Sequence, residues 1–200
     1  MSQERSVRTR RLLLHAAAEE FAARGYSGAR LKTVVDRIGM TKGALYGHFA
    51  SKEDLAEALA DEAASCWEAL RAEQAAQPLD SVAELRLLAE RLALLMDDDL
   101  VFRAAVRLAS DGLCGSGKRD LVTLISAHFT ELVRRAQREA GLAVAFPAAA
   151  FADLVTTAIF AGAQSGAPSG TKAGAKAGAG PGIGSRTRLN GLWELLGSGG

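Results

Sequence analysis

The sequence predicts an all-α protein with a basic three-helix head, residues 1–52, and a larger helical bundle, residues 53–200. Three observations carry this. Ala and Leu are abundant while alternating β-branched runs are scarce, which favours helices over strands. Apolar residues recur three and four apart through most of the chain. Charge is unevenly divided: residues 1–52 hold ten Lys/Arg against four Asp/Glu, so a head of +6 and a remainder of −5 hide behind an overall charge of +1. A chain of 200 residues can bury roughly 70% of its unfolded surface, enough for one or two small domains.

The first helix is expected over about Val7 to Arg24, with Leu13, Leu14, Ala17 and Phe21 on one face. Arg5, Arg8, Arg10 and Arg11 at its start form a basic arm that reaches flanking phosphates or a minor groove, or is simply solvated. A second helix carries Leu31, Val34, Val35 and Ile38, and Gly39 supplies the positive φ that stops it. Thr41 then offers a hydroxyl to the free amides of Gly43 and Ala44, which opens a third helix. Leu45 and Phe49, four apart, pin this helix to a core. Its opposite face holds Gly43, Tyr46 and Gly47, with Lys42 at the amino end, and has almost no bulk. Two readings fit. One is an ordinary helical corner; the other is a helix-turn-helix whose second helix enters a DNA major groove. In the second, Lys42 reaches a guanine edge or a phosphate, and Tyr46 donates to a phosphate or touches a thymine methyl. His48 sits on the flank of the buried face, where a structural hydrogen bond and a phosphate contact are equally open. Ser51-Lys52-Glu53-Asp54 reads as a capping box opening the next helix. A lysine in that first turn is mildly unfavourable unless an anion joins it.

Gly25-Tyr26, the turn at Gly39, Thr41-Lys42-Gly43-Ala44-Leu45-Tyr46, His48-Phe49 and Ser51-Lys52-Glu53-Asp54-Leu55 resemble the DNA-binding domain of the TetR family of transcriptional regulators, from about Arg8 to Leu59. Within that family, Lys42 to Tyr46 followed by His48-Phe49, and the later Phe102-Arg103-Ala104-Ala105-Val106-Arg107-Leu108, are similar to the branch that senses γ-butyrolactone signals. The resemblance implies a homodimeric, ligand-responsive repressor that grips a palindromic double-stranded DNA operator and is released by a small apolar effector. It implies DNA contacts from Arg8, Arg30, Lys32, Thr41, Lys42, Gly43, Tyr46, His48 and Lys52, and tips His48 towards phosphate. Arg30 departs from the pattern, standing where many relatives place a Ser or Thr cap. No counterpart of the branch's pocket tryptophan is evident, and Leu124 lies nearby instead.

Beyond the head, a long helix should run from Lys52 to about Gln74 with Leu55, Leu59, Cys66, Trp67 and Leu70 as its apolar residues, and Pro78 ends the segment. Ser81 can open another helix, with Leu85, Leu88, Leu92 and Leu95 in its stripe. Further helices are expected from Asp98 to Ser110, Arg119 to Ala140 and Pro147 to about Ala163. The resulting bundle offers Met96, Phe102, Val106, Leu124, Ile125, His128, Phe129 and Phe151, together with Phe160, as walls of an effector cavity. Plain core is the competing reading for each. After residue 161 the composition shifts, with 12 of the 21 glycines; segment 162–184 is Gly-rich, Gly166 to Gly184 within it reads as a flexible linker, and a short amphipathic piece, Leu189 to Leu196, follows. In the resembling family the last helices pair two subunits, so this is where the chain departs most from the pattern.

The function classes disfavoured are as informative. Cys66 and Cys114 form no motif and point to a reducing, cytoplasmic setting. The stretch Leu142–Ala163 is long enough for a membrane span, but Asp153 near its centre favours a core or interface helix. Gly112 to Lys118 imitates a phosphate-binding loop, yet Arg119 replaces the Ser/Thr that holds magnesium, and a helix rather than a strand precedes it. His15, His48 and His128 are too dispersed for a metal site, and no Ser/His/Asp or Cys-x-x-Cys arrangement stands out. No catalytic residue and no cofactor are therefore expected. A helical protein-binding adaptor and a small-molecule-modifying enzyme remain rival readings, and the +6 head argues against both.

Overall fold

Capping chemistry sets most helix boundaries. The computed structural model describes residues 2–112, 120–139, 146–164 and 184–197. Among the described residues the order is α1 (Ser2–Gly28), α2 (Leu31–Arg37), α3 (Lys42–Tyr46), α4 (Lys52–Ala75), α5 (Ser81–Asp98), α6 (Leu100–Ser110), α7 (Leu121–Arg138), α8 (Ala148–Gln164) and α9 (Ser185–Gly197). No strand occurs among them, as the composition predicts. The carboxylate of Asp80 accepts from the amides of Val82 and Ala83 to open α5, Asp99 accepts from Phe102 to open α6, and Asp120 accepts from Val122 to open α7. Each such cap contributes about 1 kcal/mol.

Three boundaries differ from expectation. The first helix starts at Ser2 rather than near Val7, and Gly25 breaks it with φ 64 and ψ −178. Asp80, not Ser81, is the cap of α5; Ser81 is 1% exposed and already inside the helix. The last helix opens at Ser185, four residues before the amphipathic piece read from the sequence, because its cap comes from elsewhere in the chain. Asp97 of α5 accepts from the amides of Ser185 at 2.8 Å and Arg186 at 3.2 Å. The side chain of Arg188 then donates to the carbonyl oxygens of Ala158 at 2.8 Å and Ile159 at 3.4 Å, near the end of α8. Gly162 makes room for it, since a Cβ there would lie 2.8 Å from an Arg188 nitrogen. Most of the glycine-rich linker, residues 165–183, lies outside the described residues, as do Cys114 and residues 113–118 of the phosphate-loop imitation.

Burial divides the apolar residues into two clusters. The head cluster gathers Leu13, Leu14, Phe21, Val34, Val35, Leu45, Phe49, Leu55 and Leu59 with Ala104 and Leu108 of α6. The body cluster holds Trp67, Leu85, Leu88, Leu92, Met96, Phe102, Val106, Ile125, Phe129, Phe151, Val155, Ile159 and Leu189, among others. Two helices belong to both. The first turns of α4 pack into the head and Ala63 and Trp67 into the body; α6 gives Ala104 and Leu108 to one and Phe102, Ala105 and Val106 to the other. Among the described residues no helix is long and apolar enough to cross a membrane. Of the stretch that raised that alternative, the residues from Ala148 onward belong to α8 and bury Phe151, Val155 and Ile159 in the body.

Candidate nucleic-acid interface

The turn between α2 and α3 follows from two residues. Gly39 takes φ 66, its amide donates to Asp36, and the amide of Met40 reaches back to Val35 at 2.9 Å, which satisfies the last carbonyls of α2. The hydroxyl of Thr41 then accepts from Ala44 at 3.2 Å and opens α3. Leu45 and Phe49 are 0% and 1% exposed, each worth roughly 2 to 3 kcal/mol of burial, so the back of α3 is anchored firmly for so short a helix.

The front is open. Thr41, Lys42, Gly43 and Gly47 are exposed, and Tyr46 is 52% exposed. A Cβ built on Gly43 meets nothing nearer than the Thr41 hydroxyl at 3.8 Å. The fold itself therefore does not require glycine there, and the missing side chain leaves clearance on the outer surface. His48 is half-buried beside this face. In α2, Arg30 occupies the cap position with no side-chain hydrogen bond, as its identity predicts, and its guanidinium is exposed. Lys32 is exposed and paired with Asp36 at 2.7 Å. Arg8 is exposed on α1, while Arg10 lies over the Phe49 ring at 4.8 Å and so ties the basic arm to the α3 anchor.

Lys52 has a role that its sequence position did not reveal. Its ammonium donates to the carbonyl of Ala29 at 2.7 Å and sits 4.5 Å from the centre of the Tyr26 ring. Beside it, the Tyr26 hydroxyl donates to Glu53. Burial, helped by that carboxylate, pushes the Tyr26 phenol up to about 12, and the same hydrogen bond draws Glu53 down to about 2. Tyr26, Lys52 and Glu53 thus clasp the end of α1 to the start of α4, behind the α2–α3 pair. Ser51 caps α4 by accepting from Asp54 at 3.1 Å, and Asp54 reaches back to the amide of Ala50, so the capping box forms with its return bond shifted by one residue.

The residues expected to wall an effector cavity meet in the body. Met96, Phe102, Val106, Ile125, Phe129 and Phe151 are each at most 2% exposed and share one cluster. Leu124 and His128 are half-buried. Trp67, which the sequence offered only as part of an apolar stripe, stacks on Phe129 at 6.4 Å and meets His128 edge-on at 5.7 Å. Burial, with Arg71 nearby, lowers His128 to about 4. An open groove of about 660 Å³ lies elsewhere, at the junction of head and body, between His15 and the Leu70, Leu94 and Val101 side chains.

Residues 13–59 match the model of the bacterial regulatory proteins of the tetR family. The chain is 38% identical over 111 residues to the A-factor receptor protein of Streptomyces griseus, covering 56% of this chain and 38% of that one. Its fold superposes on a crystal structure of a γ-butyrolactone receptor, an ArpA-like protein, with a TM-score of 0.80, 26% identity and coverage of 97% of this chain and 89% of that one. The chain belongs to the TetR family. A second solved structure of that family, CprB from Streptomyces coelicolor in complex with its operator sequence, matches with a TM-score of 0.78 and 28% identity over 98% of this chain and 89% of that one. The TetR chain is thus similar in sequence to the A-factor receptor protein and in fold to the γ-butyrolactone receptors. It spans well under two thirds of the A-factor receptor's length.

Proposed function

We propose that this TetR chain is a repressor that binds a palindromic operator as a homodimer and is released by a small apolar effector, of γ-butyrolactone or butenolide type. The head, residues 1–52, reads DNA, and residues 53–200 bind the effector and the partner subunit. The observation that carries the reading is the two-sided character of α3: Leu45 and Phe49 are sealed behind it, while Lys42, Gly43 and Tyr46 stand in the open. In this reading Arg8, Arg30, Lys32, Thr41 and His48 add contacts from the rest of the head, and Lys52 joins them if a phosphate draws its ammonium from Ala29. Because Gly43 and Gly47 present no side chains, base reading rests on Lys42, Thr41 and Tyr46.

The relatives' names support the effector class, and the body cluster supports its place. Met96, Phe102, Val106, Ile125, Phe129 and Phe151 share one cluster with Trp67, and His128 meets Trp67 edge-on; with Leu124, half-buried beside Ile125 on α7, these are the residues read as the effector site, and the cluster draws on α4 and α6, the two helices shared with the head. An effector that wedges between them shifts the head. It releases DNA only if it prefers the shifted arrangement over the DNA-bound one. Dimerisation is supported by α8, whose exposed residues Ala150, Asp153, Leu154 and Thr157 fall on one face; Leu154 is 46% exposed.

The test is a mobility shift on the duplex upstream of the chain's own coding region, repeated with γ-butyrolactones and butenolides. If each subunit of the dimer meets three or four phosphates, log affinity should fall against log salt with a slope of about −5 to −7. Absence of DNA affinity at low salt would leave the protein-binding adaptor as the better account.

A further inference from the structure

The helix α6 meets the head along one stripe. Val101, Ala104, Leu108 and Asp111 follow one another at intervals of three, four and three residues, so they share a face. The first three pack against the head cluster. The fourth is the polar member, and it makes a specific bond: the backbone amide of Tyr26 donates to an Asp111 carboxylate oxygen at 2.9 Å, across 85 residues of sequence. Arg107, one turn back on α6, lies 3.4 Å from the same carboxylate.

Two features show that this contact is built. An acidic group at the carboxyl end of a helix opposes the helix dipole, and here the Arg107 pair within α6 and the bond to the Tyr26 amide offset that cost together. On the other side, Gly25 holds φ 64 with ψ −178, a conformation essentially reserved for glycine, which frees the Tyr26 amide from the helical ladder. A Cβ on Gly25 would lie 2.4 Å from the Asp111 oxygen, so glycine also gives the carboxylate its path to the amide. Apolar packing around small Ala104 is non-directional and tolerates sliding of α1 along α6. One charged hydrogen bond to a backbone amide does not.

We infer that Asp111 is a positioning residue that fixes the register of the DNA-reading head on α6, and with it the separation of operator half-sites that the dimer accepts. The inference rests on the DNA-binding reading above and adds a residue that touches neither DNA nor effector. Because α6 also packs Phe102 and Val106 into the body, the bond lies between the candidate effector cluster and the head.

The experiment uses the full chain and its Asp111→Ala and Asp111→Asn variants. Affinity is measured for an isolated half-site, for the operator, and for operators with one base pair added or removed between half-sites. Hydrogen exchange of the peptide containing the Tyr26 amide is followed in parallel. Asp111→Ala should bind the half-site like wild type, lose about threefold to tenfold of its preference for the native separation, and expose the Tyr26 amide by a similar factor. Asp111→Asn keeps an acceptor without the attraction to Arg107 and should fall between. An unchanged spacing preference, or a Tyr26 amide that exchanges at the wild-type rate, overturns the inference. A wild-type chain that binds neither the half-site nor the operator removes the DNA reading and the spacing claim together, while exchange still reports whether the bond itself holds.

Discussion

Replacing Phe49 by Ala separates the head from the body energetically. Phe49 is 1% exposed, lies in the head cluster with Leu45 and Leu55, and carries the Arg10 guanidinium on its ring at 4.8 Å. Truncating a buried Phe costs about 3 to 5 kcal/mol, and the cation above the ring adds about 0.5 to 1. The sum is on the scale of a small domain's whole stability, about 5 to 15 kcal/mol. The head should therefore open at denaturant concentrations where the body still holds. The chain has built-in reporters for this, because both tryptophans, Trp67 and Trp193, pack with the body cluster. Urea titrations at fixed chain concentration should show two coincident curves for wild type, one from far-ultraviolet circular dichroism and one from tryptophan emission. In Phe49→Ala the dichroism should begin to fall first while the emission stays native. If the two curves remain superposed and the midpoint moves by less than about 1 kcal/mol, the division into two cores is wrong.

Other outcomes follow from single contacts. His128 is held near 4, below the ordinary histidine range, so the fold favours its neutral form; stability is complete above about pH 6.5 and declines as pH falls towards 4. With its partial exposure discounted, the decline should be about 1 to 2 kcal/mol, read as a urea midpoint that drops in acid and drops less in His128→Gln. Lys42→Ala should flatten the salt dependence of operator binding by about 2 for a dimer. If Lys42 reads a base, the loss should also differ among operator variants by about 1 to 3 kcal/mol, whereas a uniform loss assigns it to phosphate. Ser51→Ala leaves the Asp54 amide without its acceptor at 3.1 Å and should cost the head about 1 kcal/mol in the same titration.

The parts of the head that were legible in the sequence are those decided within a few residues. Gly39, Thr41 and Ser51 act on amides no more than three positions away, and each does what its chemistry predicts. The same local logic misassigned the opening of α5, because Asp80 and Ser81 are both competent caps and only packing, which buries Ser81, chooses between them. What could not be read joins distant segments. Lys52 read as a first-turn cation waiting for an anion because nothing nearby announces the Ala29 carbonyl that holds it. Trp67 looked like one member of a stripe until α7 brought Phe129 and His128 against it. Gly25 was visible as part of a family signature, but its partner, Asp111, was not singled out, since a carboxylate at a helix end has many ordinary explanations.

The way α9 is seated has a consequence for how this chain can be rearranged. Asp97 supplies the start of the helix, Arg188 rivets it to α8, and Leu189 is fully buried, so the docking instructions are carried by the helix and its receivers rather than by the tether joining them. The seat of the terminal helix is therefore written into α5, α8 and α9 themselves, and an α9 supplied on a separate chain would carry with it the groups that dock it.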